Sequence, residues 1–313
     1  MTGGWDPGAL ARRGASRLAR LARFVRLEHT LFSLPFAYAG AVLAPAGLSP
    51  RVALLVFTAV LGLRTAGMSF NNIADVEIDA ANPRTRLRPL VTGEVGLWEA
   101  WLLVVLGSAL YFASAALLNF YALLFSPLVY AVAMTYPYAK RLHWLPHLHL
   151  GLVLGLTVFG GYVASYGCVA GSLWEVVSTA PWLLVASVSL WVAGFDTVYA
   201  VLDEEFDREY GLGSIPARFG ARAAFRAAAA MHAASGLLYY ASLALHSEPP
   251  VAWLVGSAGV CLMAWQHVVL RRRGVGGVPA AFNMNLYAGP LMALGPVAGW
   301  AARLLRLPVS AWV

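Results

Sequence analysis

Long stretches without charged residues are the feature of this sequence that most limits its fold. Eight stretches contain no aspartate, glutamate, lysine or arginine: 30–50, 52–63, 100–139, 142–174, 176–195, 227–247, 249–270 and 274–302. A helix needs about 18 to 20 apolar residues to cross the hydrocarbon core of a bilayer. Only 12% of the residues are charged, whereas roughly a quarter are charged in an ordinary soluble protein. The sequence therefore predicts a polytopic membrane protein and excludes a soluble globule.

These stretches predict an all-α fold of nine transmembrane helices in a single domain covering residues 1–313. The stretch 100–139 is about twice as long as one span, and Asn119 is a natural break, so two helices are expected there. The stretch 52–63 is short, but its helix can continue past Arg64 toward Asp75. Nine spans place the two chain termini on opposite sides of the membrane.

The basic residues predict the orientation of the chain. With the amino terminus in the cytoplasm, 18 of the 22 lysines and arginines fall in cytoplasmic segments. Arg51, Arg303 and Arg306 fall on the other side, and Arg64 lies within the second span. This bias follows the positive-inside rule, and it predicts a protein of the cell membrane with its carboxyl terminus outside. The rule also accounts for the net charge of +7, so no nucleic-acid partner is expected.

The amino-terminal region 1–27 is predicted to contain an amphipathic surface helix over residues 10–27. At 100° per residue, basic side chains share one face and apolar side chains share the other: Arg13, Arg17, Arg20 and Arg23 against Leu18, Leu21, Ala22 and Val25. A helix of this kind can lie in the plane of the lipid headgroups. The alternative is a solvated arginine-rich tail.

The acidic residues concentrate in two short segments, each at the cytoplasmic end of an even-numbered predicted span. Nine of the 15 acidic residues lie there. The first segment has polar residues at steps of four, which share one face of a helix: Asn71, Asp75 and Asp79. The second has steps of three, four and four: Asp196, Tyr199, Asp203 and Asp207. The two segments form a loose internal repeat, with Tyr199 at the position that Asn71 occupies in the first.

The two acidic segments predict a magnesium site. Their spans run in the same direction, so the segments end on the same face of the membrane and can face one another. Facing carboxylates repel unless cations lie between them, and ligands that are all oxygen favour hard ions such as Mg²⁺. The predicted ligands are Asn71, Asp75, Asp79, Asp203 and Asp207. Because Mg²⁺ completes its shell with substrate phosphates, the pattern points to a diphosphate substrate; the alternative is hydrated helix ends that happen to be acidic.

Basic residues lie close to both acidic segments in the sequence. The run at 82–89 contains Arg84, Arg86 and Arg88, and the run at 136–141 contains Lys140 and Arg141. Guanidinium and ammonium groups are suited to bind a diphosphate beyond its metals. Arg84, Arg88, Lys140 and Arg141 are therefore candidate substrate-binding residues, although each could equally serve the positive-inside bias. The seven histidines show no paired spacing beyond His147-x-His149, which is interpreted as interfacial.

Together these motifs resemble the UbiA superfamily of intramembrane aromatic prenyltransferases. The resemblance rests on the two acidic segments, on Asn-Pro-Arg-Thr at 82–85, on Tyr-Pro-Tyr-Ala-Lys-Arg at 136–141 and on Ser-Ile-Pro-Ala-Arg-Phe-Gly at 214–220. The last motif and Leu-Glu-His-Thr at 27–30 are most similar to the 4-hydroxybenzoate polyprenyltransferase branch. One departure is Asn72, because many members have aspartate at that position. The same scaffold also serves chlorophyll, haem O, menaquinone and archaeal ether-lipid synthesis.

The resemblance implies nine transmembrane helices around a central cavity with cytoplasmic-side cap loops. It also implies that an isoprenyl diphosphate, held through Mg²⁺, ionises to an allylic cation that an aromatic acceptor attacks. Asp75, Asp196 and Asp203 are then candidate catalytic residues, and Asn71 and Tyr199 are candidate substrate-binding residues. Asp196 is expected to bind metal or to act on the acceptor hydroxyl. Aromatic side chains are expected to line the cavity: Phe70, Tyr136, Phe195 and Tyr199.

Arg64 is the candidate for the carboxylate of an aromatic acid acceptor such as 4-hydroxybenzoate, unless it pairs with a motif aspartate. Two other classes use intramembrane carboxylates. CDP-alcohol phosphotransferases carry an Asp-Gly-x2-Ala-Arg block, which this sequence lacks. A cation transporter would explain the carboxylates but not the adjacent basic residues. The expected partners are an isoprenyl diphosphate, an aromatic acid and the lipid bilayer, with no obligatory protein partner evident; a non-aromatic acceptor is the alternative.

Overall fold

The described part of the computed structural model comprises Arg17, residues 19–26 and residues 30–305, and it contains helices and no β-strand. The predicted all-α fold class is confirmed over these residues. The helices are α1 (Thr30–Leu43), α2 (Pro50–Ala74), α3 (Val76–Ala81), α4 (Leu97–Leu118), α5 (Phe120–Thr135), α6 (Ala139–Leu142), α7 (Pro146–Tyr166), α8 (Leu173–Ser178), α9 (Trp182–Tyr199), α10 (Glu204–Glu209), α11 (Ile215–Leu245), α12 (Pro250–Arg273) and α13 (Val278–Leu304). Short 3-10 turns occupy Tyr136–Tyr138, Ala200–Asp203 and Gly274–Gly277.

Seven segments within this part of the chain are long and apolar enough to cross a membrane, judged by length and composition. The longest, Pro250–Leu304, contains both α12 and α13, and the apolar part of α1, Ser33–Leu43, is shorter than the rest. The nine predicted spans require α1 to cross the membrane and α12 and α13 to cross separately. That number therefore stays a prediction.

Asn119 breaks the long apolar stretch 100–139 into α4 and α5, as predicted. Its backbone is extended (φ −168°), and its Oδ1 atom accepts a hydrogen bond from the Ala122 N–H at 2.8 Å, which caps α5. Its Nδ2 atom donates to the carbonyl oxygens of Val163 and Ala164 at 3.0 and 3.1 Å. The same side chain thus begins one helix and fastens the turn to the end of α7.

Serine and proline set the starts of two helices that lead to or from the acidic segments. Ser49 accepts a hydrogen bond from the Val52 N–H at 3.3 Å, and Pro50 opens α2. Ser214 caps α11 in the same way, through the Ala217 N–H at 3.2 Å. Inside α11, Gly220 has φ 81° and ψ 164°, a conformation that only glycine adopts readily.

The long helices form a closed ring. α1 packs against α2, α7 and α13, while α2 packs against α4, α4 against α5, and α5 against α7. The chain then continues around the ring through α9, α11, α12 and α13. An apolar cavity lies inside the part of the ring formed by α1, α2, α4, α5 and α7.

A buried chain of hydrogen bonds ties the other four helices together. The Trp191 Nε1–H of α9 donates to Asn285 Oδ1 of α13 at 2.9 Å, and Asn285 Nδ2 donates to Gln266 Oε1 of α12 at 3.1 Å. His232 of α11 bonds to His267 of α12, with 2.7 Å between Nδ1 and Nε2. Because polar groups buried in an apolar bundle need partners, this chain fixes the rotation of α9, which carries the second acidic segment.

The described part of the predicted surface helix contacts the protein. Residues 19–24 are helical, and Phe24 and Val25 are buried against Val95 and Ala100. Arg17 donates from Nε to Glu99 at 2.9 Å. Residues 10–16, 18 and 27 of the predicted helix lie outside the described residues. The apolar face that was expected to lie in the headgroups thus covers, in its described part, the start of α4.

Gly161 is expected to be essential for the close approach of α1 and α7. A Cβ atom at this position would lie 1.8 Å from the Ala37 carbonyl oxygen, whereas a Cβ atom at Gly160 would meet no heavy atom within 4 Å. Because a backbone atom cannot move aside cheaply, Gly161→Ala should cost about 1–3 kcal/mol through overpacking. Thermal unfolding in detergent should show a midpoint several degrees lower for Gly161→Ala and unchanged for Gly160→Ala. Equal midpoints for the two variants would contradict this account.

Candidate active site

Each acidic segment is interrupted at its middle aspartate. α2 ends at Ala74, Asp75 has φ −99° and ψ 5°, and α3 begins at the next residue. In the second segment Asp203 has φ −109° and ψ 9°, and α10 begins directly after it. These values lie in the bridge region, which is sparsely populated and common at active sites. The predicted helix is thus broken at both positions, and the internal repeat extends to the backbone.

Asp75 is buried, with 4% of its surface exposed, and lies at the junction of three elements. Asn71 Nδ2 donates to Asp75 Oδ2 at 3.3 Å. Lys140 Nζ lies 3.3 Å from the same oxygen, and an Arg141 guanidinium nitrogen lies 3.1 Å from Oδ1. Arg141 also donates to the Ala74 carbonyl oxygen at the end of α2. Helix α6 thus supplies two cations to the first acidic segment.

Asp79 is equally buried and pairs with Arg88. The Thr85 hydroxyl donates to the Asp79 carbonyl oxygen at 3.2 Å, which folds the loop after α3 back over that helix. Burial raises the pKa of the Asp79 carboxyl, while the Arg88 guanidinium acts in the opposite direction. A second cation close to Asp79 would therefore favour the ionised form of its carboxyl group.

Asp203 joins the two acidic segments. Arg84 donates from Nε to Asp203 Oδ1 at 2.8 Å and from a terminal nitrogen to Oδ2, a bidentate pair across 119 positions of sequence. Asn82 Nδ2 donates to Asp203 Oδ1 at 3.0 Å. Arg84 also donates to the Tyr199 hydroxyl at 3.2 Å. The loop after the first segment is thus bound directly to the second.

Asp207 lies on the outer side of this cluster. It lines a surface pocket together with Lys140, Arg208 and Arg218. It lies on α10, and the loop that follows α10 is held to α6, because the Gly213 N–H donates to the Lys140 carbonyl oxygen at 2.6 Å. Of the five predicted metal ligands, Asp207 is thus the one that faces the surface pocket.

Asp196 has a partner that sequence reasoning missed. His147 at the start of α7 is buried, with 2% of its surface exposed, and its Nδ1 atom lies 2.7 Å from Asp196 Oδ2. The Ile215 N–H donates to His147 Nε2 at 3.4 Å, so Nδ1 carries the proton that is donated to Asp196. The interpretation of His147 as interfacial is therefore wrong. The only sequence signal was its position one residue after Pro146, at the start of a predicted span.

Asn71 and Asn72 have different surroundings. Asn71 lines the apolar cavity as well as donating to Asp75. Asn72 is buried and donates to the Met68 carbonyl oxygen at 2.8 Å and to the Phe24 carbonyl oxygen at 3.5 Å. Asn71 is therefore the residue of the pair that faces the site, and Asn72 fastens the amino-terminal segment to α2.

The apolar cavity meets this cluster at Asn71, which donates to Asp75, and has a volume of about 180 Å³. Arg64, Asn71 and Tyr136 are polar residues of its wall, and aliphatic and aromatic side chains form most of the rest. Three of the four aromatic residues predicted to line it are not part of its wall. Phe70 packs against Trp101 and Tyr138. Phe195 packs against Trp191 and Phe282. Tyr136 is in the wall, and Tyr199 contacts Arg84 and Phe282.

The donor set fits a hard divalent cation. The predicted ligands offer carboxylate and amide oxygens, which Mg²⁺ prefers, and each ion needs only one or two carboxylates when substrate phosphates complete its shell. Among the described residues, no group of three or more histidine, cysteine, aspartate or glutamate side chains converges on one point. Asp75, Asp79 and Asp203 instead pair with lysine or arginine.

A bundle of apolar helices with a cavity that ends at paired carboxylates and cations defines a multi-pass membrane protein with an intramembrane site. The family model described as the UbiA prenyltransferase family matches residues 33–289, and the chain belongs to this family. The resemblance seen in the sequence motifs is thereby confirmed.

Several known proteins are similar to this chain. A UbiA homologue from Aeropyrum pernix K1, solved in its apo form, is 52% identical, has a TM-score of 0.82 and covers 88% of this chain and 98% of its own. A UbiA homologue from Archaeoglobus fulgidus bound to GPP and Mg²⁺ is 20% identical, with a TM-score of 0.67 over 90% of this chain and 99% of its own. That level of identity shows a shared fold only.

A relative from Francisella tularensis subsp. novicida is described as a 4-hydroxybenzoate octaprenyltransferase. It is 34% identical over 181 residues, which are 57% of this chain and 61% of the relative. The chain therefore matches about three fifths of the length of this relative.

Proposed function

We propose that this protein transfers an isoprenyl chain from an isoprenyl diphosphate to an aromatic acid such as 4-hydroxybenzoate, in a reaction that depends on Mg²⁺. The observation that carries the proposal is the bidentate Arg84–Asp203 pair, which joins the two acidic segments at the mouth of an apolar cavity. A charged site directly above an apolar chamber suits a substrate with a diphosphate head and a hydrocarbon tail. The description of the Francisella relative supports the choice of acceptor.

Four basic residues of the acidic cluster are proposed to bind the diphosphate. Arg84, Arg88, Lys140 and Arg141 all contact motif aspartates, so all four side chains already point into the acidic cluster. A diphosphate that enters would exchange some of these contacts for its own oxygens. Guanidinium groups suit this exchange because they bind phosphate oxygens in a bidentate fashion.

The proposed reaction breaks the allylic C–O bond of the donor, and the electron pair leaves with the diphosphate. Mg²⁺ bound by Asn71, Asp75, Asp79, Asp203 and Asp207 would offset the negative charge that develops on the leaving group. The Arg84 and Lys140 side chains stabilise the same charge. A ring carbon of the acceptor then forms the new C–C bond and loses its proton. The apolar wall of the cavity keeps water from the allylic cation.

The acceptor is proposed to lie in the cavity between Arg64 and the acidic segments. Arg64 is on α2, seven residues before Asn71, which is about 10 Å along the helix. It lines the cavity, where its guanidinium is proposed to bind a carboxylate that enters from the mouth. Asp196, oriented by His147, is proposed to act on the acceptor hydroxyl, while Tyr199 helps to hold Arg84 in place.

The orientation predicted from the basic residues applies to this site as a proposal. It places the acidic segments and the amino terminus on the cytoplasmic side of the cell membrane and the carboxyl terminus outside. Labelling of single introduced cysteines with a membrane-impermeant reagent on intact cells tests it. Labelling near α10 from outside would contradict the orientation.

The proposed function is tested with purified protein, a labelled isoprenyl diphosphate, Mg²⁺ and a panel of aromatic acids. Prenylated product that is lost in EDTA and restored by excess Mg²⁺ is the expected result. Product formation that is insensitive to EDTA would contradict the metal assignment. Flux of cations into vesicles without any product would contradict the transferase proposal and favour transport.

His147→Ala is expected to lower kcat/KM about 10- to 100-fold, as is typical when an outer-shell partner of an active-site group is lost. Without its partner, Asp196 is free to rotate away from the acceptor. His147→Asn should recover a large part of the loss, because its amide nitrogen can replace the Nδ1–H donor. The control is His149→Ala, which removes a bond to the Val132 carbonyl oxygen instead. Equal activities of the Ala and Asn variants would contradict a positioning role.

A further inference from the structure

One face of α7 forms a wall of the cavity along most of its depth. The residues of this face are Val153, Thr157, Gly160 and Ala164, which recur at helical spacing. Gly160 is the smallest of them, and its backbone is exposed to the cavity. A Cβ atom built on it would meet no heavy atom within 4 Å, so the cavity extends up to the backbone at this position.

The next residue shows that this opening is specific to one position. A Cβ atom at Gly161 would lie 1.8 Å from the Ala37 carbonyl oxygen, so this glycine is required for packing against α1. Gly160 has no such packing reason, since a larger side chain would fit there. Its lack of a side chain instead leaves open space in the cavity.

Gly160 lies far below the acidic cluster. It is 13 residues after His147, which contacts Asp196, and a rise of 1.5 Å per residue places it about 20 Å along α7 from that contact. Helix α2 gives the same depth, because Val56 of the cavity wall lies 15 residues, or about 22 Å, before Asn71. Two helices thus agree on where the cavity ends.

The far end of the cavity is fixed in place. Leu118, Ala122 and Ala164 line it there. Asn119 lies between the first two, and its bonds to the Val163 and Ala164 carbonyl oxygens hold the α4–α5 turn against α7. A chain that reaches Gly160 would therefore meet a rigid boundary just beyond it.

The depth can be compared with the length of an isoprenoid. Three bonds of an extended polypeptide backbone advance about 3.4 Å, so the four chain bonds of one isoprene unit advance about 4.5 Å. A depth of about 20 Å then accommodates roughly four units in an extended conformation. Longer chains must bend or leave the cavity between helices.

We infer that Gly160 determines the length of prenyl chain that the cavity accepts in an extended conformation, with a limit of about four isoprene units. The inference rests on the proposed function, because it assigns the part of the cavity beyond Arg64, as seen from the acidic segments, to the far end of the hydrocarbon tail of the isoprenyl diphosphate. A side chain at Gly160 would occupy the space of the terminal unit and leave the units near the diphosphate unaffected. Gly160 is thus a specificity-determining residue that takes no part in the chemistry.

The test compares geranyl diphosphate, with two units, and geranylgeranyl diphosphate, with four, as donors for wild type, Gly160→Leu and Gly160→Phe. The expected result is a fall of roughly 10-fold or more in kcat/KM for the four-unit donor, with a change of less than about twofold for the two-unit donor. The decrease should be larger for Phe than for Leu. Activity with the short donor also reports that each variant is folded.

The matched control is Leu152→Phe on the same helix. Leu152 is 43% exposed and is not part of the cavity wall, so its substitution should leave both donors unaffected. Equal losses for the two donors in both Gly160 variants, or no loss for the four-unit donor, would overturn the inference. No product from wild type with either donor would instead contradict the proposed function itself.

Discussion

Asp203→Asn is expected to reduce prenyl transfer by at least about 10²–10³-fold, the range seen when one group that stabilises transition-state charge is removed. Asp203 accepts a bidentate pair from Arg84 and a hydrogen bond from Asn82. Under the proposed function it would bind Mg²⁺ and also position an arginine for the diphosphate. An amide keeps the shape but loses the charge on which both roles depend. Initial rates at saturating donor and acceptor measure the effect.

Asp75→Asn should have an effect of the same order. The substitution leaves Lys140 and Arg141 without the carboxylate that they contact. In both variants the helices on either side are unchanged, so thermal unfolding in detergent should stay close to that of wild type.

The chain provides matched controls for both variants. Glu205 is an exposed acid two residues after Asp203, and Glu77 is an exposed acid two residues after Asp75. Glu205→Gln and Glu77→Gln remove the same charge from the same segments but should retain activity. If the controls lose as much activity as the aspartate variants, the effect comes from the overall charge of the segments. Retained activity in both aspartate variants would contradict their assignment as ligands.

Arg64→Ala is expected to raise the KM for a carboxylated acceptor about 30-fold or more, because a buried charge pair is worth about 2–5 kcal/mol when one partner is removed. The KM for the isoprenyl diphosphate should change little, since Arg64 lies about 10 Å from Asn71 along α2. Steady-state kinetics with each substrate varied in turn separate the two effects. For an acceptor without a carboxylate, the increase in KM should be much smaller.

Arg51→Ala is the control for Arg64→Ala. Arg51 lies on the same helix, at the end far from the acidic cluster, and donates to the Leu117 carbonyl oxygen at 2.6 Å. Its removal should leave both KM values unchanged. Equal increases for acceptor and diphosphate in Arg64→Ala would remove the assigned role and indicate that Arg64 supports the acidic segments instead.

The internal repeat extends beyond the sequence pattern. Asp75 and Asp203 occupy equivalent positions, interrupt their helices with nearly the same backbone angles, and each contact cations from another loop. The cations that neutralise the two aspartates come from different elements: Arg84 follows α3, and Lys140 follows α5. A diphosphate between the segments would thus contact the loop after α3 and helix α6 at once.

The local features of this protein were predictable because they depend on neighbours in the sequence. Apolar stretches predict the long helices, since backbone groups in lipid must bond within their own segment. Asn119 was predictable as a break because it is a polar residue that favours helix caps, in the middle of a stretch twice the length of one span. The four-residue steps identified both acidic segments.

Other features depended on contacts that no spacing reveals. Arg84 and Asp203 are 119 residues apart, and His147 and Asp196 are 49 apart. Phe70 and Tyr136 look alike as aromatic residues beside the motifs, yet only Tyr136 lines the cavity. The rotation of each helix decides which face points inward, and packing against several neighbours sets that rotation.

By itself the sequence determined that the chain is helical and suited to a membrane, and it identified the residues that carry the charge of the site. The tertiary structure decided which cation meets which carboxylate and that the helix is interrupted at the central aspartate of both motifs. It also decided that the Gly160 position faces open space while the Gly161 position faces the backbone of α1. Composition and the spacing of residue types are properties of a single helix. Pairing and cavity shape arise only when separate helices meet, because they depend on distances between residues that are far apart in the chain.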